Sequence, residues 1–395
     1  MKFLPKNWIL IPLGDCCQII SGSTPKRNKP EYWGGDIPWV TPKDLSRLKT
    51  PVLEDAPEKI TEAGYKSCST TLLPQGSILF SSRAPIGHVA IAGRPMCTNQ
   101  GFKSLVPNES VHSPYLYWCM RQYASEVEAL GSGTTFKEVS KGIVERFKIP
   151  LPPLEEQRRI AAILDKADGV RRKRKEAIRL TEELLKSTFL EMFGDPVTNP
   201  KGWEIVSLGS LLKFLTSGSR GWAKYYAESG SLFLRIQNVK AGRLVLDDIA
   251  YVDAPDSTEA RRTFVQEGDV LVSMTADLGR TAVIPKGLGK AHINQHLALL
   301  RLDREYILPT YAAAFLTSVG GQIQFDRLNR ESVKAGLNFD DLRGLRILLP
   351  PIEKQIMYSD FLESQTNSLN RQKAADCESE NLFNSLLQRA FRGEL

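Results

Sequence analysis

The sequence repeats itself once, with a period near 195 residues. The segment IPLPPLEEQ at residues 149–157 returns as ILLPPIEKQ at residues 347–355. Further matches keep the same order in both halves: Trp8 with Trp203, Leu13-Gly14 with Leu208-Gly209, Ser21-Gly22-Ser23 with Ser217-Gly218-Ser219, Gly76, Ile78, Leu79, Ser81 and Gly87 with Gly268, Val270, Leu271, Ser273 and Gly279, and Asn99-Gln100 with Asn294-Gln295. So long a period predicts two equivalent folded units rather than a solenoid of short repeats. At 395 residues the chain has enough length for two separate cores.

The composition is that of a folded globular protein. Hydrophobic residues make up 42% of the chain and charged residues 25%, which argues against extended disorder. Residues 1–11 lack the apolar core and the cleavage site of an export signal. The sequence contains no run of about eighteen uncharged apolar residues, so we expect no membrane span and a cytoplasmic location.

Cysteine and histidine spacing does not favour a metal site. The six cysteines are Cys16, Cys17, Cys68, Cys97, Cys119 and Cys377. Because they show no CxxC spacing, we expect buried free thiols rather than a zinc site or a disulfide framework. His292 and His296 have the spacing of a helical metal pair, but no Glu follows His292 and the segment is typical of a strand edge.

Each repeat begins with a segment that predicts a globular domain of mixed α and β structure. Short apolar runs between Gly and Pro turns indicate strands, and longer runs with helical spacing indicate helices. The predicted strands are residues 77–80, 88–92, 269–274 and 281–284, and the predicted helices are residues 115–130 and 309–325.

A long helix is predicted after each globular segment. The first covers residues 155–193, with Gly169 as its one helix breaker, and the second covers residues 353–391. At about 1.5 Å per residue each helix is about 57 Å long, more than one small domain needs. The expected apolar stripes are Ile160, Leu164, Ala167, Ile178, Leu185 and Met192 on the first helix and Ile352, Ile356, Leu369, Leu382 and Leu386 on the second. An antiparallel coiled coil is the economical way to bury both stripes.

The predicted fold class is therefore α+β, a pseudo-twofold tandem repeat of two mixed α/β domains separated by two long helices in an antiparallel coiled coil. The expected boundaries are residues 1–150 and 197–347 for the domains and residues 151–196 and 348–395 for the helices. Because the first helix leads from one domain to the other, its length is expected to act as a ruler. Alignment of Gln157 with Gln355, and of Leu184-Leu185 with Leu386-Leu387, predicts four extra residues in the second helix.

The charge suits a polyanionic partner without proving one. The formal net charge is +7 and the isoelectric point is near 9.0, values that many ordinary basic proteins share. Residues 171–175 (RRKRK) form a basic run near the middle of the first long helix. This run either lies over DNA or forms a solvated helix face, and we favour the solvated face.

Taken together, the chain resembles the specificity subunits of type I restriction-modification enzymes over essentially its entire length. The resemblance rests on the two LPPxExQ segments that open the long helices, each preceded by a recognition-domain pattern. The first-half segments that resemble target-recognition domains are Thr24-Pro25, residues 32–40 (YWGGDIPWV), Lys43-Asp44-Leu45 and residues 83–87 (RAPIG). The second half has SRGW at residues 219–222 and TADLG at residues 275–279 instead, as expected if the two halves read different bases.

The resemblance implies a non-catalytic chain that selects a split DNA site of two half-sites, one for each target-recognition domain. It implies that two methyltransferase subunits bind S-adenosylmethionine and methylate adenine, while restriction subunits use ATP and Mg²⁺ to translocate and cut double-stranded DNA. This chain itself is expected to bind no cofactor and no membrane.

The residues bear on three classes of function. An enzyme is disfavoured because both LPP segments lack the Asp or Asn and the aromatic residue of an amino-methyltransferase, and because no P-loop or nuclease pattern occurs. A pure adaptor that organises other proteins through its coiled coil stays open. A DNA reader needs donors and acceptors on loops, backed by cations for phosphates. The candidate DNA contacts are Lys26, Arg27, Lys29, Arg83, His88, Asn99 and Gln100 in the first half and Arg220, Lys224, Gln237, Asn238, Thr275 and Arg280 in the second.

Overall fold

The computed structural model describes residues 4–83, 85–133, 137–240, 242–331 and 336–395. Ala84 of the RAPIG segment lies outside the described residues. The chain divides into two compact units: unit 1 comprises Met1–Glu176 and Ala374–Leu395, and unit 2 comprises Ala177–Lys373. Each unit therefore holds one globular domain and parts of both long helices.

Unit 1 contains two main sheets around which its helices pack. Its strands are β1 Ile9–Pro12, β2 Cys17–Ser21, β3 Trp33–Val40, β4 Val52–Leu53, β5 Lys59–Ile60, β6 Ile78–Phe80, β7 Val89–Ala92, β8 Cys97–Thr98, β9 Lys103–Pro107 and β10 Lys148–Leu151. Its helices are α1 Leu13–Cys16, α2 Pro42–Ser46, α3 Glu62–Lys66, α4 Ser113–Gln122, α5 Ala124–Ala129, α6 Lys141–Arg146 and the first part of α7 Leu154–Phe193, with a 3₁₀ turn at Pro30–Tyr32. The sheet orders are β2-β9-β6-β7-β4 and β5-β3-β8, and β1 pairs with β10.

Unit 2 repeats this plan with its own strands and helices. Its strands are β11 Glu204–Ser207, β12 Leu212–Ser217, β13 Tyr226–Ala227, β14 Ser231–Leu234, β15 Val239–Lys240, β16 Arg243–Leu244, β17 Ala250–Val252, β18 Val270–Ser273, β19 Thr281–Val283, β20 Ala291–Ile293, β21 Leu297–Leu302 and β22 Arg346–Leu349. Its helices are α8 Thr258–Thr263, α9 Pro309–Thr317, α10 Val319–Glu331, α11 Phe339–Gly344 and most of α12 Ile352–Ala390, with 3₁₀ turns at Leu208–Leu211, Trp222–Tyr225 and Ile236–Asn238. The sheet orders are β12-β21-β18-β19 and β13-β17-β14-β20, with the pairs β15-β16 and β11-β22.

The two sheet plans correspond strand by strand. The order β2-β9-β6-β7 in unit 1 matches β12-β21-β18-β19 in unit 2, and the neighbours in both series are antiparallel. The parallel pair β3-β8 likewise matches β14-β20. The duplication seen in the sequence is thus a duplication of fold.

The predicted strands are found within one or two residues of their expected ends, whereas both predicted domain helices are split. The helix expected at residues 115–130 breaks at Tyr123 into α4 and α5, and the one expected at residues 309–325 breaks at Ser318 into α9 and α10. Each break lets the chain turn while both halves keep an apolar face on the core, so helical spacing alone did not reveal it.

Each long helix is continuous, with α7 spanning 40 residues and α12 spanning 39. Glu155 and Glu156 lie in the first turn of α7, where carboxylates stabilise the positive end of the helix dipole. Gly194 follows the last turn with a φ of +80°, a left-handed conformation that ends helices and favours glycine. The helix therefore starts and stops where the sequence predicted.

A buried glutamine fixes the start of each long helix to its domain. The Gln157 amide donates to the carbonyls of Ser110 and Pro152, both at 2.9 Å, and its oxygen accepts from the His112 N–H at 2.8 Å. In unit 2 the Gln355 amide makes the equivalent bonds, to the carbonyls of Tyr306 at 3.1 Å and Pro350 at 2.9 Å and from the N–H of Leu308 at 2.9 Å. The repeated Gln of the LPPxExQ segment is therefore a structural residue.

Within each unit, α7 and α12 pack side by side and run antiparallel. In unit 1, Arg159 donates to the carbonyl of Leu395 at 2.9 Å, while Arg171, farther along α7, donates to Glu380 at 2.8 Å. In unit 2, Lys373 donates to Glu182 at 2.6 Å. The predicted antiparallel helix pair is confirmed.

The apolar stripe predicted for α7 is correct at Ile160 and Leu164, which are fully buried, but the stripe predicted for α12 is partly wrong. Ile356 and Leu382 are exposed, at 45% and 60% of their surface. Tyr358 and Phe383, each close by in sequence, are buried instead. The prediction is correct at Leu369, which is buried, and at Leu386, which packs on the core of unit 1. Aromatic and aliphatic side chains together therefore hold α12.

The four extra residues expected in the second helix are not found. Tyr115 of unit 1 packs on Phe391 at 5.4 Å between ring centroids, and Tyr311 of unit 2 packs on Phe193 at 4.7 Å. Phe391 therefore corresponds to Phe193, and the distance in sequence from Gln157 to Phe193 equals that from Gln355 to Phe391. The earlier match through the Leu-Leu pairs was wrong because leucine pairs recur along any apolar stripe.

The basic run at residues 171–175 is not simply a solvated face. Arg171 is buried to 14% side-chain exposure, where it bonds to Asp168 at 2.5 Å and to Glu380 at 2.8 Å and lies 4.4 Å from the Phe383 ring centroid. Arg172 also bonds to Asp168, at 2.7 Å. The expectation of a solvated face fails for Arg171, since the sequence gives no sign that acidic partners lie on both helices.

No helix within the described residues is both long enough and apolar enough to cross a membrane.

Candidate nucleic-acid interface

A short loop in each unit is held in the same shape by a serine hydroxyl. In unit 1, the Ser81 hydroxyl donates to the carbonyl of Pro85 at 2.8 Å and accepts from the N–H of His88 at 2.8 Å. In unit 2, the Ser273 hydroxyl donates to the carbonyl of Asp277 and accepts from the N–H of Arg280 at 2.9 Å. We call these segments, residues 81–83 with 85–88 and residues 273–280, the stapled loops.

Each stapled loop contains a glycine that its geometry requires. Gly87 has a φ of +93° and Gly279 a φ of +76°, a region that residues with a side chain rarely adopt. A Cβ at Gly279 would also lie 2.2 Å from the Phe325 ring. The repeated glycine therefore keeps the loop shape and carries no information about a ligand.

A second segment, the Asn-Gln segment, lies beside each stapled loop. In unit 1 it is residues 99–101, where the Asn99 Oδ1 accepts from the N–H of Gly101 at 2.9 Å and the Gly101 carbonyl accepts from the N–H of Ser82 at 2.8 Å. In unit 2 it is residues 294–296, where the Asn294 Oδ1 accepts from the N–H of His296 at 3.2 Å and the His296 carbonyl accepts from the N–H of Met274 at 2.9 Å. The stapled loop and the Asn-Gln segment together form one backbone frame, present in both units.

A glycine from the neighbouring strand end fits closely against each frame. A Cβ at Gly22 would lie 2.0 Å from the carbonyl oxygen of Asn99, and a Cβ at Gly218 would lie 2.2 Å from the carbonyl carbon of Asn294. No side chain fits at either position. The Ser-Gly-Ser repeats are thus part of the frame.

In unit 1 the frame borders an open cavity of about 530 Å³. Three predicted contacts, Arg83, Asn99 and Gln100, line it, together with Lys43, which sequence reasoning did not select. Arg83 is about half exposed and lies 3.8 Å from Glu138, and Gln100 accepts a hydrogen bond from the Thr24 hydroxyl. These side chains converge from three segments that are distant in sequence, as a groove-facing surface requires.

Other predicted residues of unit 1 lie around the frame in different roles. His88 is half-buried at the end of the stapled loop, and Lys26 and Lys29 are exposed. Arg27 bonds to both oxygens of Glu58, at 2.9 and 2.8 Å, and lies over the rings of Trp33 and Trp39. The bonds from Arg27 hold the pKa of the Glu58 carboxyl below its ordinary value. Arg27 therefore forms an exposed ion pair beside two indole rings.

In unit 2 the side chains of the frame bond to one another. Thr275 Oγ1 lies 2.8 Å from the Nδ1 of His296, and Arg280 pairs with Asp277 inside the stapled loop. Arg280 also borders a shallow cavity of about 490 Å³ with Lys240, a second cation that sequence reasoning missed. Nothing local in the sequence marks Lys43 or Lys240, since each reaches the frame only through tertiary structure.

The other predicted residues of unit 2 divide into exposed and buried ones. Arg220 and Lys224 are exposed, and Gln237 is exposed but donates to Asp248 at 2.9 Å. Asn238 is 2% exposed, its oxygen accepts from the N–H of Arg235, and its amide donates to two loop carbonyls, each at 2.9 Å. Asn238 holds its own turn and offers no group to a ligand, because its amide is fully used.

The described residues contain no group of three His, Cys, Asp or Glu side chains that could hold a metal ion. His292 is buried against Trp222 and Phe264, and this burial lowers the pKa of its imidazole. All six cysteines are free thiols, but Cys377 is exposed, contrary to the expectation of burial, and Cys68 is half-buried.

The fold and the frame describe a duplicated protein that presents the same loop scaffold twice with different side chains. A family model for the type I restriction modification DNA specificity domain matches residues 5–180 and 200–378. The chain therefore belongs to that family, which confirms the resemblance found in the sequence.

Known relatives agree with this assignment. The chain is 35% identical over 257 residues to the type I restriction enzyme MjaIX specificity subunit of Methanocaldococcus jannaschii, a match that covers 60% of each chain. It is 24% identical to the EcoBI specificity subunit of Escherichia coli, with 98% of this chain and 86% of the relative covered. The crystal structure of a type I system S subunit from M. genitalium has the same fold, with a TM-score of 0.63 at 13% identity over 99% of this chain and 98% of that one.

Proposed function

We propose that this chain selects the DNA target of a type I restriction-modification complex, with each unit reading one half of a split site. The observation that carries the proposal is the duplicated frame. The two frames share their backbone hydrogen bonds, whereas Arg83, His88 and Gly101 in one are replaced by Thr275, Arg280 and His296 in the other. One backbone scaffold with two different sets of side chains can bind two different short DNA sequences.

The exposed side chains around the frames are the proposed DNA contacts. Arginine pairs with guanine through two hydrogen bonds, and Gln or Asn pairs with adenine in the same way. The proposed base contacts are Arg83, His88, Asn99 and Gln100 in unit 1 and Arg220, Gln237, Thr275 and Arg280 in unit 2. The proposed phosphate contacts are Lys26, Arg27, Lys29 and Lys43 in unit 1 and Lys224 and Lys240 in unit 2. Asn238 leaves the set because its amide is buried and used internally.

Catalysis is assigned to other subunits. We place methylation on two methyltransferase subunits that bind S-adenosylmethionine, and cleavage on restriction subunits that use ATP and Mg²⁺, in a cytoplasmic complex. Support comes from the family membership and from the absence of a methyltransferase or nuclease pattern in the sequence. Calorimetry of the isolated chain with S-adenosylmethionine would contradict this division if it detected binding.

The decisive experiment exchanges the domain of one unit. Residues 1–150 are replaced by the equivalent domain of a relative, and methylated sites are mapped in cells that express the chain with its methyltransferase partner. Because each unit has its own core and frame, one half-site should change while the other stays the same. Simultaneous change of both half-sites would refute independent reading, and methylation without sequence preference would refute the function itself.

A further inference from the structure

One position of the frame differs in a way that changes its chemistry. Gly101 and His296 hold the same place, since the carbonyl of each accepts from the residue after the staple serine and the N–H of each donates to the preceding asparagine. Unit 1 thus has no side chain where unit 2 has an imidazole. The replacement is local, because the backbone hydrogen bonds around it are the same.

The neighbouring position changes in the opposite sense. In unit 1 the long Arg83 side chain borders the cavity beside Gly101. In unit 2 the short Thr275 takes the place of Arg83, and His296 extends to meet it. The pair Arg83 and Gly101 of unit 1 thus corresponds to the pair Thr275 and His296 of unit 2, so the large residue stands at the other position. Where unit 1 has the guanidinium of Arg83, unit 2 has the hydroxyl of Thr275 bonded to an imidazole.

The hydrogen bonds around His296 indicate which atoms donate and which accept. The amide nitrogen of Gln295 lies 3.2 Å from the Nε2 of His296. An amide nitrogen only donates, so Nε2 accepts and the imidazole proton lies on Nδ1. Nδ1 then donates to Thr275 Oγ1, 2.8 Å away. Because the Thr275 oxygen accepts from Nδ1, its hydroxyl hydrogen is turned away from His296 and is available to donate to another group.

We infer that His296 is a specificity-determining residue of unit 2, which positions the Thr275 hydroxyl as a hydrogen-bond donor to one base of the half-site. The inference rests on the proposed function of unit 2 as a DNA reader. A fixed donor suits guanine, adenine and thymine, each of which presents an acceptor in the major groove. It disfavours cytosine, which presents only its N4 amino donor there, because the Thr275 oxygen already accepts from His296 Nδ1 and has one lone pair left.

Without His296 the Thr275 hydroxyl would be free to rotate. A free hydroxyl both donates and accepts, so it would tolerate the amino group of cytosine as well. His296→Gly should therefore relax one position of the half-site and leave the others unchanged. Gly101 occupies the same backbone frame in unit 1, so the frame itself accommodates glycine.

The test compares selected-site profiles of the assembled methyltransferase complex, obtained with a pool of randomised duplexes. The wild-type complex should exclude cytosine at one position of the second half-site. His296→Gly should reduce that exclusion by about tenfold, within the range of a single mismatched base pair. Thr275→Val, which keeps the side-chain shape but removes the hydroxyl, should change the preference at the same position. The first half-site is the internal control.

Two further variants separate positioning from mere structure. His296→Asn keeps a donor near Nδ1 and should restore most of the discrimination, which a purely structural role would not predict. Lys286→Ala, an exposed residue of unit 2, should leave both half-sites unchanged. An unchanged profile for His296→Gly, or changes at different positions for the two variants, would overturn the inference. Loss of all sequence preference in the wild-type complex would instead overturn the proposed function.

Discussion

The glutamines near the start of the long helices are single residues that the fold constrains closely. Gln157 and Gln355 are 1% and 0% exposed, and each satisfies three backbone groups. A buried polar group that loses its partner costs about 1–3 kcal/mol, so the loss of one glutamine affects several groups together.

Replacement of Gln157 by alanine should therefore destabilise unit 1. We expect the free energy of unfolding to fall by about 2–3 kcal/mol, because the Pro152 carbonyl is left buried without this partner and the part-buried Ser110 carbonyl and His112 N–H also lose it. Urea denaturation measures the loss, and hydrogen exchange should locate it in unit 1. Gln388→Ala, at an exposed position of α12, is the matched control and should change stability by less than about 0.5 kcal/mol. Equal losses for the two variants would contradict the assigned role.

At the scale of elements, the ion cluster of unit 1 connects the two long helices. Asp168 has 3% side-chain exposure and bonds to Arg171 and Arg172, while Glu380 on α12 bonds to Arg171 and Lys175. Burial raises the pKa of Glu380, but the bonds from Lys175 and Arg171 outweigh this effect and hold it below its ordinary value. The stability that ionised Glu380 contributes is therefore present above the pKa of this carboxyl in the unfolded chain. It is lost as the pH falls through the lower pKa that the carboxyl has in the folded chain.

Arg171→Met should destabilise the helix pair. The substitution leaves Asp168 buried with one partner fewer. Because removal of one partner from a buried ion cluster costs several kcal/mol, we expect the free energy of unfolding to fall by about 2–3 kcal/mol. Circular dichroism in urea at pH 7 gives the measurement, with Arg174→Met as the exposed control. Simultaneous replacement of Asp168, Arg171 and Glu380 by apolar residues should recover much of the loss. If the triple variant does not recover this stability, the ion cluster itself makes a net stabilising contribution to the helix pair.

The length of α7 supports a second prediction at this scale. Duplication of residues 181–184 adds four residues, about 6 Å of rise and a net rotation of roughly 40°, which a coiled coil accommodates as a stutter. One base pair corresponds to about 3.4 Å and roughly 36°. We expect methylation of the same half-sites with a spacer that is longer by one base pair. A spacer longer by two base pairs is the less favoured outcome. An unchanged spacer in the mapped sites would refute the ruler.

The elements differ in how far the sequence predicts them. The duplication, the two long helices and the strands on either side of the stapled loops follow from periodicity and from Pro and Gly positions. The breaks at Tyr123 and Ser318, the buried face of α12 and the pairing of Arg171 do not, because each is set by groups that are distant in sequence. For the same reason the sequence suggested Asn238 as a contact and missed Lys43 and His296.

At the scale of the whole molecule, the charge bears on DNA affinity. The net charge of +7 favours a polyanion, and each phosphate contact contributes about one unit to the salt dependence of binding. In the basic run, Lys173 and Arg174 are exposed, whereas Arg171, Arg172 and Lys175 bond to carboxylates of the helix pair. Only the first two can be tested for DNA contact without disturbing the fold.

Lys173→Gln combined with Arg174→Gln should leave the salt slope of the assembled complex unchanged. We expect the methyltransferase subunits, rather than this helix, to enclose the spacer DNA. Binding to one duplex is measured over a salt series, with Lys148→Gln combined with Lys354→Gln as a control that removes two exposed charges elsewhere. A slope smaller by about 1–2 units for the first variant alone would show direct phosphate contact.

The serine hydroxyl that fixes both ends of each stapled loop has a consequence for evolution. The loop takes its shape from one side chain, one glycine and its own backbone. Ile86 and Leu278 of the loops pack on the cores, whereas residues 83, 88, 275 and 280 are not part of them. Mutations at residues 83, 88, 275 and 280 can then be sampled at small cost to folding, while Ser81 and Ser273 stay fixed. Such a chain can acquire a new recognition sequence by point mutation before it needs to recombine a whole domain. If the proposed complex restricts foreign DNA, populations attacked by DNA that carries the old methylation pattern would gain from that short route.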